Sequence, residues 1–208
     1  MSIYELKPAF QGLLRPLVRA LYAAGCTANA VTLVTCALSI ALGGLLCVYG
    51  ELFRLFLLLP VFLFVRMALN AIDGMLAREF GQKSNLGAFL NELTDVVSDA
   101  ALYLPFAFLP HFHWLWVTAV IFLSALCEMA GTVAVMIGAS RRYDGPMGKS
   151  DRAFVFGALG LAIGLGLPPA SWERVIFPVI GLLLCMTIVN RVRSALRVID
   201  AEPQEGKQ

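Results

Sequence analysis

The sequence predicts an all-α integral membrane protein: six transmembrane helices preceded by an interfacial amphipathic helix. Three observations predict it. Apolar residues fill 59% of the 208 positions, above the roughly half-apolar usage of soluble domains. Mean hydropathy is +0.79. Apolar stretches of roughly twenty residues, the length a helix needs to cross hydrocarbon, recur along the whole chain.

Residues 2–24 open the chain with a helical period. Ile3, Leu6, Phe10, Leu13, Leu14, Leu17, Val18 and Leu21 alternate with Lys7, Gln11, Arg15 and Arg19. That pattern fits a helix lying on a membrane surface. Glu5, Lys7, Arg15 and Arg19 interrupt any short apolar core, so no cleavable signal peptide is expected. Six spans follow, at about 29–49, 53–77, 86–110, 113–138, 152–168 and 173–195. Gly50, Pro110, Gly145-Pro146 and Pro168-Pro169 mark ends. One membrane domain is expected over 1–208, without a separate soluble domain. Cys26, Cys36, Cys47, Cys127 and Cys185 lie in or beside apolar segments, without metal-ligand spacing, and read as small packing residues.

Six spans put both termini on one side of the membrane. That side carries Lys7, Arg15, Arg19, Arg78, Lys83, Arg141, Arg142, Lys149, Arg152, Arg191, Arg193, Arg197 and Lys207. The other side carries Arg54 and Arg174, and Arg66 falls inside a span. The positive-inside rule therefore places both termini and the 78–86 and 140–152 loops in the cytoplasm. His111, Trp114, Trp116 and Trp172 on the far side fit an aromatic belt. The net charge of +2 says little by itself, and no nucleic acid partner is expected.

Charge within a bilayer is costly and needs a reason, such as a metal, a proton relay or a charged substrate. At about 100° per residue, Asn70, Asp73 and Ala77 share a face of the second span, flanked by Gly74 and Arg66. Gly87, Asn91, Asp95 and Ser98 share a face of the third, with Glu92 and Asp99 at its edge. Two such helices side by side present Asp73 opposite Asp95 in an all-oxygen setting that suits Mg²⁺ or Mn²⁺. Gly74, Ala77 and Gly87 lack bulk, so a nucleotide can lie close to the backbone. Arg78 offers a fork for phosphate. Taken singly, each has a plainer reading: Gly87 as a helix-packing residue, Arg78 as a snorkelling anchor, either aspartate as a partner for Arg66. The fixed spacing over the whole run favours the joint reading. Lys149, Arg152 and Arg191, with Arg141 and Arg142, gather at cytoplasmic ends, either through positive-inside bias alone or as an anion pocket. Glu128, an acid inside the fourth span, has no assigned partner.

The spacing Asp73-Gly74-x2-Ala77-Arg78-x8-Gly87-x3-Asn91-x3-Asp95 resembles the signature of the CDP-alcohol phosphotransferase superfamily, D-x2-D-G-x2-A-R-x8-G-x3-D-x3-D. Asn70 and Asn91 stand at two of its four aspartate positions, as in a bacterial branch of the superfamily. Thr27-Ala28-Asn29-Ala30-Val31-Thr32 resembles the start of the family's first span. Gly148-Lys149-Ser150-Asp151-Arg152 resembles its segment before the fifth. The resemblance implies metal-dependent transfer of a substituted phosphoryl group from a CDP-alcohol, such as CDP-diacylglycerol, to an acceptor hydroxyl, with release of CMP. It implies Asp73 as a metal ligand and Asp95 as both ligand and general base. Asn70, Asn91, Glu92 and Asp99 are further candidate ligands. Asn70, Asp73, Gly74, Ala77, Arg78 and Gly87 would face the nucleotide. Lys149, Arg152 and Arg191 would hold a phosphorylated acceptor. It also implies a homodimer in a bacterial inner membrane. Two other classes remain open from the residues: a non-catalytic nucleotide- or lipid-binding relative, suggested by the asparagines, and a small transporter. Against the transporter, most strong charges lie toward one end of the spans, and no broken-helix repeat is evident.

The topology is directly testable. In a cysteine-free background, thiols placed at Gln82 and Pro146 are expected to resist membrane-impermeant labelling from outside intact cells. Efficient outside labelling at either site overturns the orientation.

Overall fold

The computed structural model describes residues 3–110, 112–167 and 173–201. His111, Pro168, Pro169, Trp172 and Lys207 lie outside the described residues, as do the side chains of Ile3, Glu5, Leu6 and Lys7. Seven α-helices account for most of the rest: α1 (Ile3–Ala23), α2 (Ala28–Val48), α3 (Leu58–Glu79), α4 (Asn85–Tyr103), α5 (Trp114–Met136), α6 (Lys149–Gly164) and α7 (Glu173–Ala201). Short 3₁₀ segments, Phe53–Leu57 and Leu104–Phe108, lead into α3 and follow α4. No strand occurs among the described residues.

Each expected span contains a helix, shifted by a few residues. The segment expected at 86–110 gives up regular α-helix at Tyr103, because Pro105 cannot donate to the preceding turn. The segment expected to end at 195 runs on to Ala201 and carries Pro178 in its interior. Among the described residues, four stretches are long and apolar enough to cross a membrane: Ala28–Val48, Phe53–Glu79, Trp114–Met136 and Arg174–Ala201. α4 and α6 are not among them for a chemical reason. α4 carries Glu92, Asp95 and Asp99, while α6 has only 16 residues and opens with Lys149, Asp151 and Arg152.

Polar caps fix the starts of the helices that border the site. Thr27 Oγ1 accepts from Ala30 N–H at 3.1 Å, and Ser84 Oγ accepts from Gly87 N–H at 2.9 Å. Gln82 ties the α3–α4 loop to the start of α2. Its Oε1 accepts from Ala28 N–H at 2.6 Å and its Nε2 donates to Cys26 C=O. The α5–α6 loop folds back on α7: Met147 N–H donates to Thr187 Oγ1 at 3.0 Å. In that loop the Arg142 guanidinium, bonded to both oxygens of Asp144, holds the Asp144 carboxyl below its ordinary range.

The apolar core lies beyond the last acid of α4. Tyr103 stacks on Phe156 at 3.6 Å between centroids, and Phe106 meets Phe56, Phe112, Phe156 and Phe177 edge-on or tilted. Small residues let the helices approach. Gly157, Gly160 and Gly164 form one row of α6 against Pro60, Leu59 and Leu57. Gly43 of α2 lies against the Ala101 carbonyl of α4. A second, smaller core joins Val18 of α1 to Ile72, Met75 and Leu76 of α3. Leu13 and Leu17 of α1 stay exposed.

Gly43 and its neighbour Gly44 give a matched test. A Cβ on Gly43 would overlap the Ala101 carbonyl, whereas one on Gly44 meets nothing within 4 Å. Gly43→Ala is expected to cost about 1–3 kcal/mol through forced separation of α2 and α4. Gly44→Ala is expected to be near neutral. Thermal unfolding of the detergent-solubilised protein reads both.

Candidate active site

Two cavities of about 610 Å³ each use α3 as a wall. The first is polar. α2 contributes Asn29 and Thr32 to it, α3 contributes Asp73, Gly74, Ala77 and Arg78, and α4 contributes Gly87, Asn91 and Glu92. The structure thus brings seven of the expected nucleotide and metal residues around one space. The glycines earn their places by proximity. The Arg78 guanidinium folds back over Gly74, where a Cβ would sit 2.9 Å from Nη2. A Cβ on Gly87 would sit 2.8 Å from Asn29 Oδ1. Asp73, 6% exposed, accepts from the Thr32 hydroxyl at 2.8 Å.

The second cavity lies between α3 and α6. Pro60, Leu63, Phe64, Met67, Phe154 and Leu161 line it, with Arg66, Asn70 and Lys149 at its polar part. Asp95 is held by those same polar residues. Lys149 Nζ lies 2.5 Å from Asp95 Oδ2. Asn70 Nδ2 donates to Oδ1 at 3.4 Å, and Arg66 Nη2 reaches Oδ1 at 3.5 Å and the Asp95 carbonyl at 3.1 Å.

The remaining acids are committed to arginines. Asp99 takes Arg66 Nη1 on Oδ1 at 2.5 Å, and Arg152 Nη2 and Nε on Oδ2 at 2.9 and 3.3 Å. Both of its oxygens already accept from buried arginines, which sets it apart from the other expected ligands. Glu92 pairs with Arg141 and is likewise engaged. Lys149, Arg152 and Arg191 are not a row of free cations. Lys149 is on Asp95; Arg152, 1% exposed, bridges Asp99 and Glu128; Arg191, also 1% exposed, donates to the Cys127 carbonyl and lies 3.6 Å from Glu128 Oε2. The three cations expected to hold an acceptor phosphate are thus each engaged by a group of the chain itself. Glu128, unassigned by sequence, is the partner of Arg141, Arg152 and Arg191.

The donor chemistry fits a hard divalent cation, on a reduced ligand set. Among the described residues no three of His, Cys, Asp and Glu cluster closely enough to hold a metal. Asp73 and Asp95 supply two carboxylates, and the amide oxygens of Asn70 and Asn91 supply neutral donors. An ammonium already rests on Asp95, so a positive charge is stable there. Sequence reasoning gave Thr32 and Gln82 no role; Thr32 had a signal in the family-like start of α2, whereas Gln82, in the α3–α4 loop, had none.

A family model described as CDP-alcohol phosphatidyltransferase matches residues 26–195. The inner membrane protein YnbA of Escherichia coli K12 is 49% identical over 196 residues, covering 94% of this chain and 97% of its own length. Among solved structures, phosphatidylinositol phosphate synthase (PgsA1) of Mycobacterium tuberculosis, in complex with manganese and citrate, superposes with a TM-score of 0.70. It is 21% identical and the match covers 93% of this chain and 91% of that one. The same enzyme with CDP-DAG bound gives a TM-score of 0.68 at 21% identity, covering 93% and 96%.

The ion pairs predict unequal costs. Arg152→Ala strips a buried counter-ion from both Asp99 and Glu128 and is expected to destabilise by about 3–5 kcal/mol. Lys149→Ala removes a cation whose side chain is 34% exposed, and is expected to cost no more than about 1 kcal/mol. Chemical or thermal unfolding of the two variants measures the difference.

Proposed function

This chain belongs to the CDP-alcohol phosphatidyltransferase family, and on that premise we propose that it moves a phosphatidyl group from CDP-diacylglycerol to the hydroxyl of a polar acceptor. One observation carries the reading. A polar cavity walled by Asp73, Gly74, Ala77, Arg78 and Gly87 shares α3 with an apolar cavity of similar size. A nucleotide diphosphate suits the first and an acyl chain suits the second, and the donor joins both chemistries in one molecule. The M. tuberculosis enzyme of the same fold binds CDP-DAG in its crystal structure.

In this reading Gly74, Ala77 and Gly87 let the pyrophosphate approach the backbone, and the Arg78 fork neutralises it. Asp73, Asp95, Asn70 and Asn91 would hold one Mg²⁺ or Mn²⁺; the M. tuberculosis structure contains manganese. The metal would supply charge stabilisation for the pyrophosphate and the departing CMP. Asp95 accepts the proton of the acceptor hydroxyl. The acceptor oxygen bonds to the phosphorus that carries diacylglycerol, and the bond from that phosphorus to the CMP oxygen breaks. Asn70 and Lys149, at the polar part of the second cavity and bonded to Asp95, orient donor and acceptor for that displacement.

We read the whole chain as a single membrane domain of six spans, with α4 and α6 crossing alongside the four apolar stretches. The pairing of their acids and cations supports this, because paired charge inside a bundle is tolerated where isolated charge is not. α1 lies on the cytoplasmic face of the inner membrane. It packs Val18 on α3, pairs Arg15 with Glu79 at 3.0 Å and leaves Leu13 and Leu17 exposed. The site then opens to the cytoplasm, and a homodimer belongs to the same reading.

The test is CMP release from CDP-diacylglycerol by the purified protein with Mn²⁺ and a panel of polar alcohols. Asp95→Asn keeps the shape of the side chain and removes the base. It is expected to slow CMP release by about 10²–10⁴ while the protein remains folded. Turnover at the wild-type rate removes Asp95 from its role. Asn70→Asp with Asn91→Asp is expected to tighten Mn²⁺ binding.

A further inference from the structure

α5 is apolar along its whole length except for one strong charge, Glu128. Three guanidiniums from three other segments converge on it. Arg152 Nη2 of α6 donates to Oε1 at 2.9 Å, Arg141 Nη2 of the α5–α6 loop donates to Oε2 at 3.1 Å, and Arg191 Nη1 of α7 lies 3.6 Å from Oε2. Like charges gather in this way only around an anion. Space has been made for them: a Cβ on Gly131, three residues after Glu128, would sit 3.2 Å from Arg191 Nη1. Arg152 and Arg191 are almost wholly buried, while the Arg141 side chain is 24% exposed.

This cluster adjoins the reaction site. Arg141 also pairs with Glu92, which lines the polar cavity, and Arg152 also holds Asp99, whose other partner Arg66 touches Asp95. Each cation around the cluster has a carboxylate partner, five cations sharing four acids. Arg66, Arg141, Lys149, Arg152 and Arg191 face Glu92, Asp95, Asp99 and Glu128. The polar cavity wall beyond the cluster carries Asp73 together with Arg78 and Lys83. At the Arg141–Arg152–Arg191 site itself, every cation already faces a carboxylate of the chain.

We propose that Glu128 is a built-in anion that fills the Arg141–Arg152–Arg191 site, so that the acceptor alcohol of this chain carries no phosphate. The inference rests on the transferase reading and names its acceptor class: a polyol or other hydroxyl compound without a strongly anionic group. Glu128 acts here as a specificity residue by exclusion. A phosphorylated acceptor would have to displace a carboxylate held by three cations, whereas an uncharged alcohol meets no such competitor.

The experiment has a binding arm and a turnover arm, both on the full chain. Inorganic phosphate and glycerol 3-phosphate are titrated calorimetrically into the wild type, Glu128→Gln and Glu128→Asp. The wild type and Glu128→Asp are expected to bind neither detectably. Glu128→Gln is expected to bind both at least about tenfold more tightly. In turnover, CMP release is compared for glycerol against glycerol 3-phosphate and for inositol against an inositol phosphate. The wild type is expected to favour the uncharged member of each pair by at least about tenfold in kcat/KM, and Glu128→Gln to narrow or reverse that ratio. A wild type that binds phosphate, or prefers the phosphorylated member, overturns the proposal. So does a Glu128→Gln protein that only melts earlier, with phosphate affinity and acceptor ranking unchanged. If Glu128→Gln does not fold, the wild-type titrations and acceptor ranking decide the matter alone. If no acceptor elicits CMP release from any variant, the transfer reaction fails, while the phosphate titrations still judge Glu128.

Discussion

A charge inside a bundle this apolar has to be neutralised where it stands, and Asp99 is where that constraint shapes the molecule. Its carboxylate is gripped by Arg66 from α3 and Arg152 from α6. Losing either partner would leave charge buried without its mate, which is far costlier than an exposed pair is worth. Three helices are thereby set against one another at the depth of the site. The rest follows along the same chain of contacts. Arg66 steadies Asp95, Arg152 reaches on to Glu128, and Glu128 draws in the α5–α6 loop and α7.

The acids therefore divide into two groups. Asp99, Glu128 and Glu92 are consumed as counter-ions of arginines. Asp73 and Asp95 are held more lightly, by a hydroxyl, an amide, an ammonium and one long contact from Arg66 at 3.5 Å. A threonine hydroxyl and a partly exposed lysine can yield to a dication, whereas a buried guanidinium bonded to two acids cannot readily do so. On the proposed reading, this division leaves Asp73 and Asp95 as the carboxylates of a site with fewer acids than the family signature contains. Asn70 and Asn91 lower the negative charge of the ligand set, and lysine supplies the compensating cation when no metal is bound.

Much of this was legible in the residues themselves. Apolar stretches and helical period located the described helices, although only four stretches are long and apolar enough to cross a membrane. The run from Asn70 to Asp95 located the polar cavity, because residues at helical spacing share a face whatever they pack against. The partners across helices were not legible. Asp99 reads as a spare ligand until α6 is seen to bring Arg152 to it, and Lys149, Arg152 and Arg191 read as an anion pocket until α4 brings Asp95 to the lysine and α5 brings Glu128 to the arginines. Helical phase specifies a face, but not which neighbour that face meets. The roles of Thr32 and Gln82 were not legible for the same reason, each being useful only to a residue far along the chain. The end of α4 was foreshadowed by Pro105, whereas the extra length of α7 has no marker in its sequence.

The central claim is that Asp73 and Asp95 are the acids left for a cation while Asp99 and Glu128 are not. Anomalous scattering from crystals grown with Mn²⁺ and CDP-diacylglycerol tests it most directly. The account predicts one well-occupied peak between Asp73 and Asp95, with Asn70 or Asn91 beside it, Lys149 moved off Asp95, and the Arg66–Asp99–Arg152–Glu128 chain intact. A peak on Asp99 or Glu128, or a strong peak elsewhere with none between Asp73 and Asp95, would contradict it.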